Sequence, residues 1–149
     1  MPGLWCGRLG RGAVVEEERP HGRIIDQRLR NRIMEDLLCL SEGDEDVTAK
    51  GAGEWFESFF DHLPREGSDY RDNSSISGTE WTALAPVVET MQLARQNAPS
   101  RISDEDLIAS GWPTRVARLA KSALDAFLER GRFSEDVEED EPSSPIPWP

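Results

Sequence analysis

The residues of this chain that could take part in acid–base chemistry are few, and their spacing does not suit it. His62 directly follows Asp61, but neighbours along a helix point in different directions, and no serine or cysteine nucleophile is placed with them. The acidic run after Gly43 resembles the start of a calcium loop. It lacks the alternating oxygen ligands and the closing glutamate that such a loop requires. We predict neither a catalytic pair nor a calcium site here.

The chain also lacks the short motifs that carry many known chemistries. It contains no C-x-x-C or H-E-x-x-H motif, no glycine-rich phosphate loop and no nucleophile elbow. Its two cysteines, Cys6 and Cys39, and its two histidines are too widely separated for a zinc site. We expect a non-enzymatic protein with no cofactor and no metal. Two cysteines are too few for a disulfide framework, which indicates the reducing cytoplasm.

The most informative feature of the sequence is its distribution of charge. The 149 residues carry a net charge of −12. Residues 41–63 and residues 134–149 each contribute −6, whereas residues 114–133 carry +3. An acidic surface attracts basic partners and repels nucleic acid. No run approaches the roughly 20 apolar residues of a membrane span, so we expect no membrane partner.

These charges favour a non-catalytic protein-binding domain. It would be an acidic inhibitor, an immunity-like protein or an adaptor that covers a partner with a basic surface, and its oligomeric state is left open. The predicted contacts are the acidic residues of an exposed loop and one aromatic residue that follows it. They are Glu42, Asp44, Glu45, Asp46 and Trp55.

The alternative is a nucleic-acid-binding regulator. Residues 104–130 match, loosely, a helix, a glycine turn and a second helix. Arg115, Arg118 and Lys121 would then face the phosphates. The spacing fits the motif poorly and the net charge of the chain opposes it, so nucleic acid is the less favoured partner.

Four apolar patterns at helical spacing indicate the elements that position these residues. The first runs from Arg23 to Leu40, with an apolar stripe and an arginine-rich opposite face. Its stripe contains Ile25, Leu29, Ile33, Leu37 and Leu40, and its polar face contains Arg23, Arg28, Arg30 and Arg32. The second pattern, at residues 54–63, has four aromatic residues on one face and predicts a buried helix.

The other two patterns lie in the second half of the chain. Ser77 and Glu80 have the spacing of a capping box at the start of a helix that Pro86 is expected to kink or break. A short helix after Ser103 precedes the last one, which ends at Gly131. We therefore predict an all-α protein, a small bundle of four to five helices.

The predicted domain boundaries follow from composition. Residues 23–133 form the helical domain. Residues 1–22, with five glycines and two prolines, and residues 134–149, which are acidic and proline-rich, are expected to be disordered tails.

Two stretches of the sequence resemble a known group of proteins. R-I-I-D-Q-R-L-R-N-R-I-M-E at 23–35 and L-E-R-G-R-F-S-E-D at 128–136 are similar to the two ends of a family of small, acidic, helical bacterial proteins of uncharacterised function. The resemblance covers residues 23–136. It implies a cytoplasmic helical domain and no catalytic residues.

Overall fold

The computed structural model describes residues 22–63 and 72–144. Within these residues the chain forms six α-helices and no strands, which confirms the predicted all-α fold. The helices are α1 (Gly22–Leu40), α2 (Asp44–Lys50), α3 (Ala52–Phe60), α4 (Gly78–Asn97), α5 (Asp104–Ser110) and α6 (Trp112–Leu128). A single isolated bridge pairs Arg132 with Ser144 in this part of the chain.

The core lies between the three long helices, with α6 packed against both α1 and α4. Each of the three contributes a row of fully buried apolar side chains. These rows include Ile33, Met34 and Leu37 from α1, Leu84, Val88 and Met91 from α4, and Val116, Ala120 and Phe127 from α6. The aromatic residues of α3 close one side of this core, as the sequence predicted for Trp55, Phe56 and Phe59.

The buried face of α1 differs in part from the predicted stripe. Ile33, Leu37 and Leu40 are buried, but Ile25 is 43% exposed. Arg30, predicted on the polar face, is wholly buried. The reason is that α1 is covered on two sides, by the helical core on one and by the chain that follows α6 on the other.

That chain is the C-terminal strap, which we define as residues 132–144. The disordered tail was predicted to begin at residue 134, and in the structure hydrogen bonds hold the strap on α1 as far as Asp140. Composition suggested disorder since the strap has almost no apolar residues, yet polar groups of α1 supply its partners. Residues 1–21 and residues 145–149, including Trp148, lie outside the described residues.

Two other expectations about local structure are corrected. Helix α4 runs through Pro86 as one helix, so the predicted break is wrong. Proline removes one backbone donor, but the buried residues Val87, Val88 and Met91 hold the helix on the core. The predicted acidic loop is the helix α2, whose first turn contains three acidic residues that suit the positive end of the helix dipole.

The described helices give no indication of a membrane span, since none of them combines sufficient length with sufficient apolar character.

We predict that Phe59→Ala and Leu124→Ala each lower the free energy of unfolding by about 2–5 kcal/mol, because both side chains are buried in the core. Glu45→Ala, an exposed control, changes it by less than about 0.5 kcal/mol. Chemical denaturation measures all three variants. Equal midpoints would show that the buried faces have been assigned wrongly.

Candidate functional site

The segment from α2 to the end of α3 presents a set of exposed carboxylates, which we call the acidic surface. Its members are Glu42, Asp44, Glu45, Glu54, Glu57 and Asp61. None of the six forms an ion pair with another described residue. Their charge is therefore not neutralised within the part of the fold that the structure describes.

Backbone contacts fix the helices that display these carboxylates. Gly43, just before α2, has a φ of +65°. A Cβ atom at this position would contact Ala117 of α6, so the start of α2 packs against that helix. The Asp104 carboxylate accepts a 2.8 Å hydrogen bond from the backbone N–H of Ala52, the first residue of α3. An acidic group at a helix start is favourable because the first backbone donors are otherwise unpaired. The acidic surface thus stands on a fixed scaffold.

Two of the predicted contact residues do not belong to this surface. Asp46 is buried and pairs with Lys50 at 3.2 Å. Trp55 is fully buried, with its ring edge-on to Phe56 at a centroid distance of 5.0 Å, so it cannot contact a partner. Asp46 lies on the inner face of α2 and Trp55 on the inner face of α3, and the outer faces of both helices are acidic. Glu42, Asp44 and Glu45 are exposed as predicted.

The residues of the nucleic-acid alternative lie on one helix. Arg115, Arg118 and Lys121 are exposed on α6 and form no ion pair with a described residue. Arg115 stacks over the Trp112 ring at 4.4 Å. Only Gly111, with a φ of +86°, separates α5 from α6, whereas the DNA-binding motif has a turn of three to four residues.

The most polar part of the interior is a cluster that sequence reasoning did not find, formed by Arg30, Glu80 and Arg130. Arg30 donates to the Glu80 carboxylate through Nε at 3.2 Å and Nη2 at 2.8 Å. Arg130 donates to the same carboxylate through Nε at 2.9 Å and Nη2 at 2.8 Å. Glu80 therefore accepts two bidentate pairs, the strongest geometry available to a carboxylate. We call these three residues the buried triad.

Other N–H groups of the two arginines donate to backbone carbonyls. Arg30 donates through Nη1 to the Gly131 carbonyl at 2.7 Å, and Arg130 donates through Nη2 to the Ser75 carbonyl at 2.8 Å. The Arg30 guanidinium also lies 5.1 Å from the Phe127 ring centroid. The only sequence signal for this cluster was the capping box, which predicted that the Glu80 carboxylate accepts from the Ser77 backbone N–H, and it does so at 3.0 Å.

The environment of Glu80 determines its charge. Burial alone would raise its pKa, but hydrogen bonds from Arg130 and Arg30 outweigh burial and lower the pKa to about 2. Glu80 is therefore ionised at any ordinary pH, and the triad carries a net charge of +1 in the interior.

His62 has a different partner from the one that the sequence suggested. The partner of His62 is Asp36 on α1, and not the adjacent Asp61. A carboxylate oxygen of Asp36 lies 2.5 Å from the Nδ1 atom of His62. The hydrogen bond to Asp36 raises the pKa of His62, and burial raises the pKa of Asp36. No serine or cysteine side chain of the described residues hydrogen-bonds to His62. The pair connects α1 to the end of α3.

Most acidic residues of the strap differ from those of the acidic surface because they form ion pairs with arginines. Asp140 pairs with Arg23 at 3.0 Å, and Glu141 pairs with Arg130 at 3.2 Å. Glu135 contacts both Arg32 and Arg132. Burial would raise the pKa of Glu135, but the hydrogen bond from Asn31 and the nearby arginines lower it. The two acidic segments of the sequence thus have different roles.

An open cleft of about 240 Å³ lies where the strap passes the start of α4. Its charged lining residues are Arg23, Arg130, Glu139, Asp140 and Glu141. The two cations of this cleft already pair with two of its carboxylates, Arg23 with Asp140 and Arg130 with Glu141. Across residues 22–63 and 72–144, no group of three or more His, Cys, Asp or Glu residues is placed to hold a metal ion.

Comparison of the chain with known protein families, with curated proteins and with solved structures found no match. The function must therefore be argued from the geometry and the charges described above.

The pKa of Glu80 leads to a prediction about stability at low pH. Since this pKa is about 2 in the folded protein and about 4.5 ordinarily, the charged triad stabilises the fold above pH 4.5 and loses that effect as the pH falls toward 2. The shift corresponds to about 3 kcal/mol. We expect urea unfolding to show a loss of this order in the wild type between pH 5 and pH 2.

Glu80→Gln tests this assignment, because it keeps the side-chain shape and removes the titrating group. The variant is expected to be less stable at pH 7 by about 3–5 kcal/mol, since two arginines lose their buried counter-charge. Its stability should then fall less steeply with acid than that of the exposed control Glu54→Gln. Parallel pH profiles for the two variants would refute a role for Glu80 in acid sensitivity.

Proposed function

We propose that this chain is a non-catalytic protein-binding domain whose acidic surface covers a basic patch on another protein, as an inhibitor, an immunity-like protein or an adaptor does. One observation carries the proposal. The fold pairs four of the six strap carboxylates, those of Glu135, Glu138, Asp140 and Glu141, with arginines, but it leaves all six carboxylates of the acidic surface without an ion-pair partner among the described residues.

Like charges that are crowded on one surface raise the free energy of the isolated domain. Six exposed carboxylates within twenty residues repel one another, and this repulsion destabilises the isolated domain slightly. A partner with lysines and arginines at matching positions removes that repulsion on binding. Charges of this kind act mainly on the rate of association, over a Debye length of about 8 Å at physiological salt. A fast, salt-sensitive association is the expected signature of such a domain.

The second candidate is nucleic-acid binding through α6. Its support is the row of exposed cations, Arg115, Arg118 and Lys121. Two observations weigh against it. The adjoining helix α5 begins with Asp104, Glu105 and Asp106, and the chain as a whole carries −12. Phosphate contacts need a net positive surface, so the acidic surface is the better-supported contact region.

The proposal includes the cellular compartment of the protein. A half-buried free thiol at Cys39 suits a reducing compartment, so we place the domain in the cytoplasm. The resemblance to small acidic bacterial proteins agrees with this placement.

The test uses three neutralising substitutions, Glu42→Gln, Asp44→Asn and Glu45→Gln, in one variant. Asp46 is kept because it pairs with Lys50 inside the fold. The matched control neutralises three exposed acids elsewhere, Glu89→Gln, Asp125→Asn and Glu129→Gln, and therefore changes the net charge equally. Wild type and control are each used to capture partners from a lysate of the source cells.

Against a captured protein, the acidic-surface variant should associate at least about 10-fold more slowly than the control at low salt, with an unchanged dissociation rate. Stopped-flow binding at several salt concentrations measures this. Equal association rates for the two variants would show that the acidic surface is not the contact region. Binding lost only in Arg115→Glu/Arg118→Glu, with duplex DNA as the ligand, would favour the nucleic-acid candidate.

A further inference from the structure

The strap lies in a groove of α1 whose side chains bind peptide backbone. The Asn31 amide donates to the Phe133 carbonyl at 2.9 Å and accepts from the Phe133 N–H at 3.2 Å. Gln27 donates to the carbonyls of Ser134 and Val137 at 2.9 and 3.0 Å and accepts from the Glu139 N–H at 2.8 Å. Both amide side chains are fully buried beneath the strap. Contacts to backbone groups select an extended chain and not a particular side chain.

Arginines at the edges of the groove select acidic side chains. Arg32 pairs with the carboxylate of Glu135, and Arg28 donates through Nε to the Glu135 carbonyl at 2.7 Å. Arg23 donates to the Glu139 carbonyl at 2.8 Å and to the Asp140 carboxylate at 3.0 Å. The charge of α1 in this region is thus complementary to an acidic peptide.

One aromatic side chain anchors the strap. Phe133 is 5% exposed and lies 5.2 Å from the Arg30 guanidinium and 5.6 Å from that of Arg130. Beyond it the strap buries little apolar surface, and Val137 is 63% exposed. The residues after Phe133 are therefore retained by hydrogen bonds and ion pairs, which contribute little each, and salt weakens the ion pairs further.

These three features together are those of a peptide-recognition site: backbone amide partners, one aromatic pocket and flanking charges. We propose that the α1 groove is a binding site for an extended acidic peptide of a partner protein, and that the strap is its internal occupant. The partner segment would present an aromatic residue two positions before a carboxylate, as Phe133 and Glu135 do. This site lies on another helix from the acidic surface and its ligand has the opposite charge, so it does not depend on the proposed function.

The experiment weakens the internal occupant and supplies the ligand separately. The full chain with Phe133→Ala is mixed with a fluorescein-labelled peptide of the strap sequence, RFSEDVEEDEPSS, at about 50 mM salt. We expect the peptide to bind this variant at least about 10-fold more tightly than it binds the wild type, whose tethered strap competes at a high effective concentration. Binding should weaken as salt rises.

Three controls separate recognition from general charge attraction. The same peptide with alanine in place of phenylalanine should bind at least about 10-fold more weakly, since its anchor is missing. Adding Asn31→Ala to the Phe133→Ala chain should abolish binding, whereas adding Ser122→Ala, an exposed position on α6, should not change it. Circular dichroism establishes that each variant is folded. A chain with Glu135→Gln and Asp140→Asn provides a second weakened strap without altering a buried side chain.

Hydrogen exchange at the Glu139 amide reports whether the strap leaves the groove. Faster exchange in the weakened straps, together with peptide binding, supports the proposal. Failure of the peptide to bind either weakened strap would overturn it, because the strap would then be a fixed part of the fold. Equal binding of the phenylalanine and alanine peptides would also overturn it, since the groove would then attract only charge.

Discussion

The fold depends on one interaction, the pairing of Glu80 with Arg30 and Arg130 in the interior. Removing the charged groups of Arg30 and Glu80 from water costs several kcal/mol for each, so the cluster is tolerable only if both groups are satisfied. Two bidentate pairs and bonds to the Gly131 and Ser75 carbonyls meet that condition. Because its members come from α1, the start of α4 and the end of α6, the cluster fixes where the three long helices meet and where the strap leaves α6.

The same pairing explains why the carboxylates of the two acidic segments differ in their ion pairs. The strap follows α6 directly, and its course along α1 brings its carboxylates to arginines of that helix. Helices α2 and α3 are placed by apolar and backbone contacts instead, and their exposed carboxylates form no ion pair with another described residue. Net charge alone could not separate these cases, because both segments contribute −6.

The sequence predicted what depends on local spacing. Helix type followed from apolar periodicity, and the cap of α4 followed from the positions of Ser77 and Glu80. It could not predict that Arg30 is buried or that His62 pairs with Asp36, because each partner is decided by packing between distant segments. Of the residues predicted to contact a partner, Asp46 and Trp55 are buried for a related reason. A run of acids shows where charge lies, but only the packing of α2 shows that Asp46 turns inward.

The position of α1 has a consequence for synthesis of the protein. Its buried polar residues Arg30 and Asn31 bind backbone groups 101 and 102 positions later in the chain. At a translation rate of roughly 5–20 residues per second, α1 waits about 5–20 s for these partners. During that interval an arginine and an asparagine that belong in the interior remain in water. The central layer of the domain therefore assembles only after residues 131–133 have been synthesised, and a nascent chain stalled before residue 131 would lack a completed core.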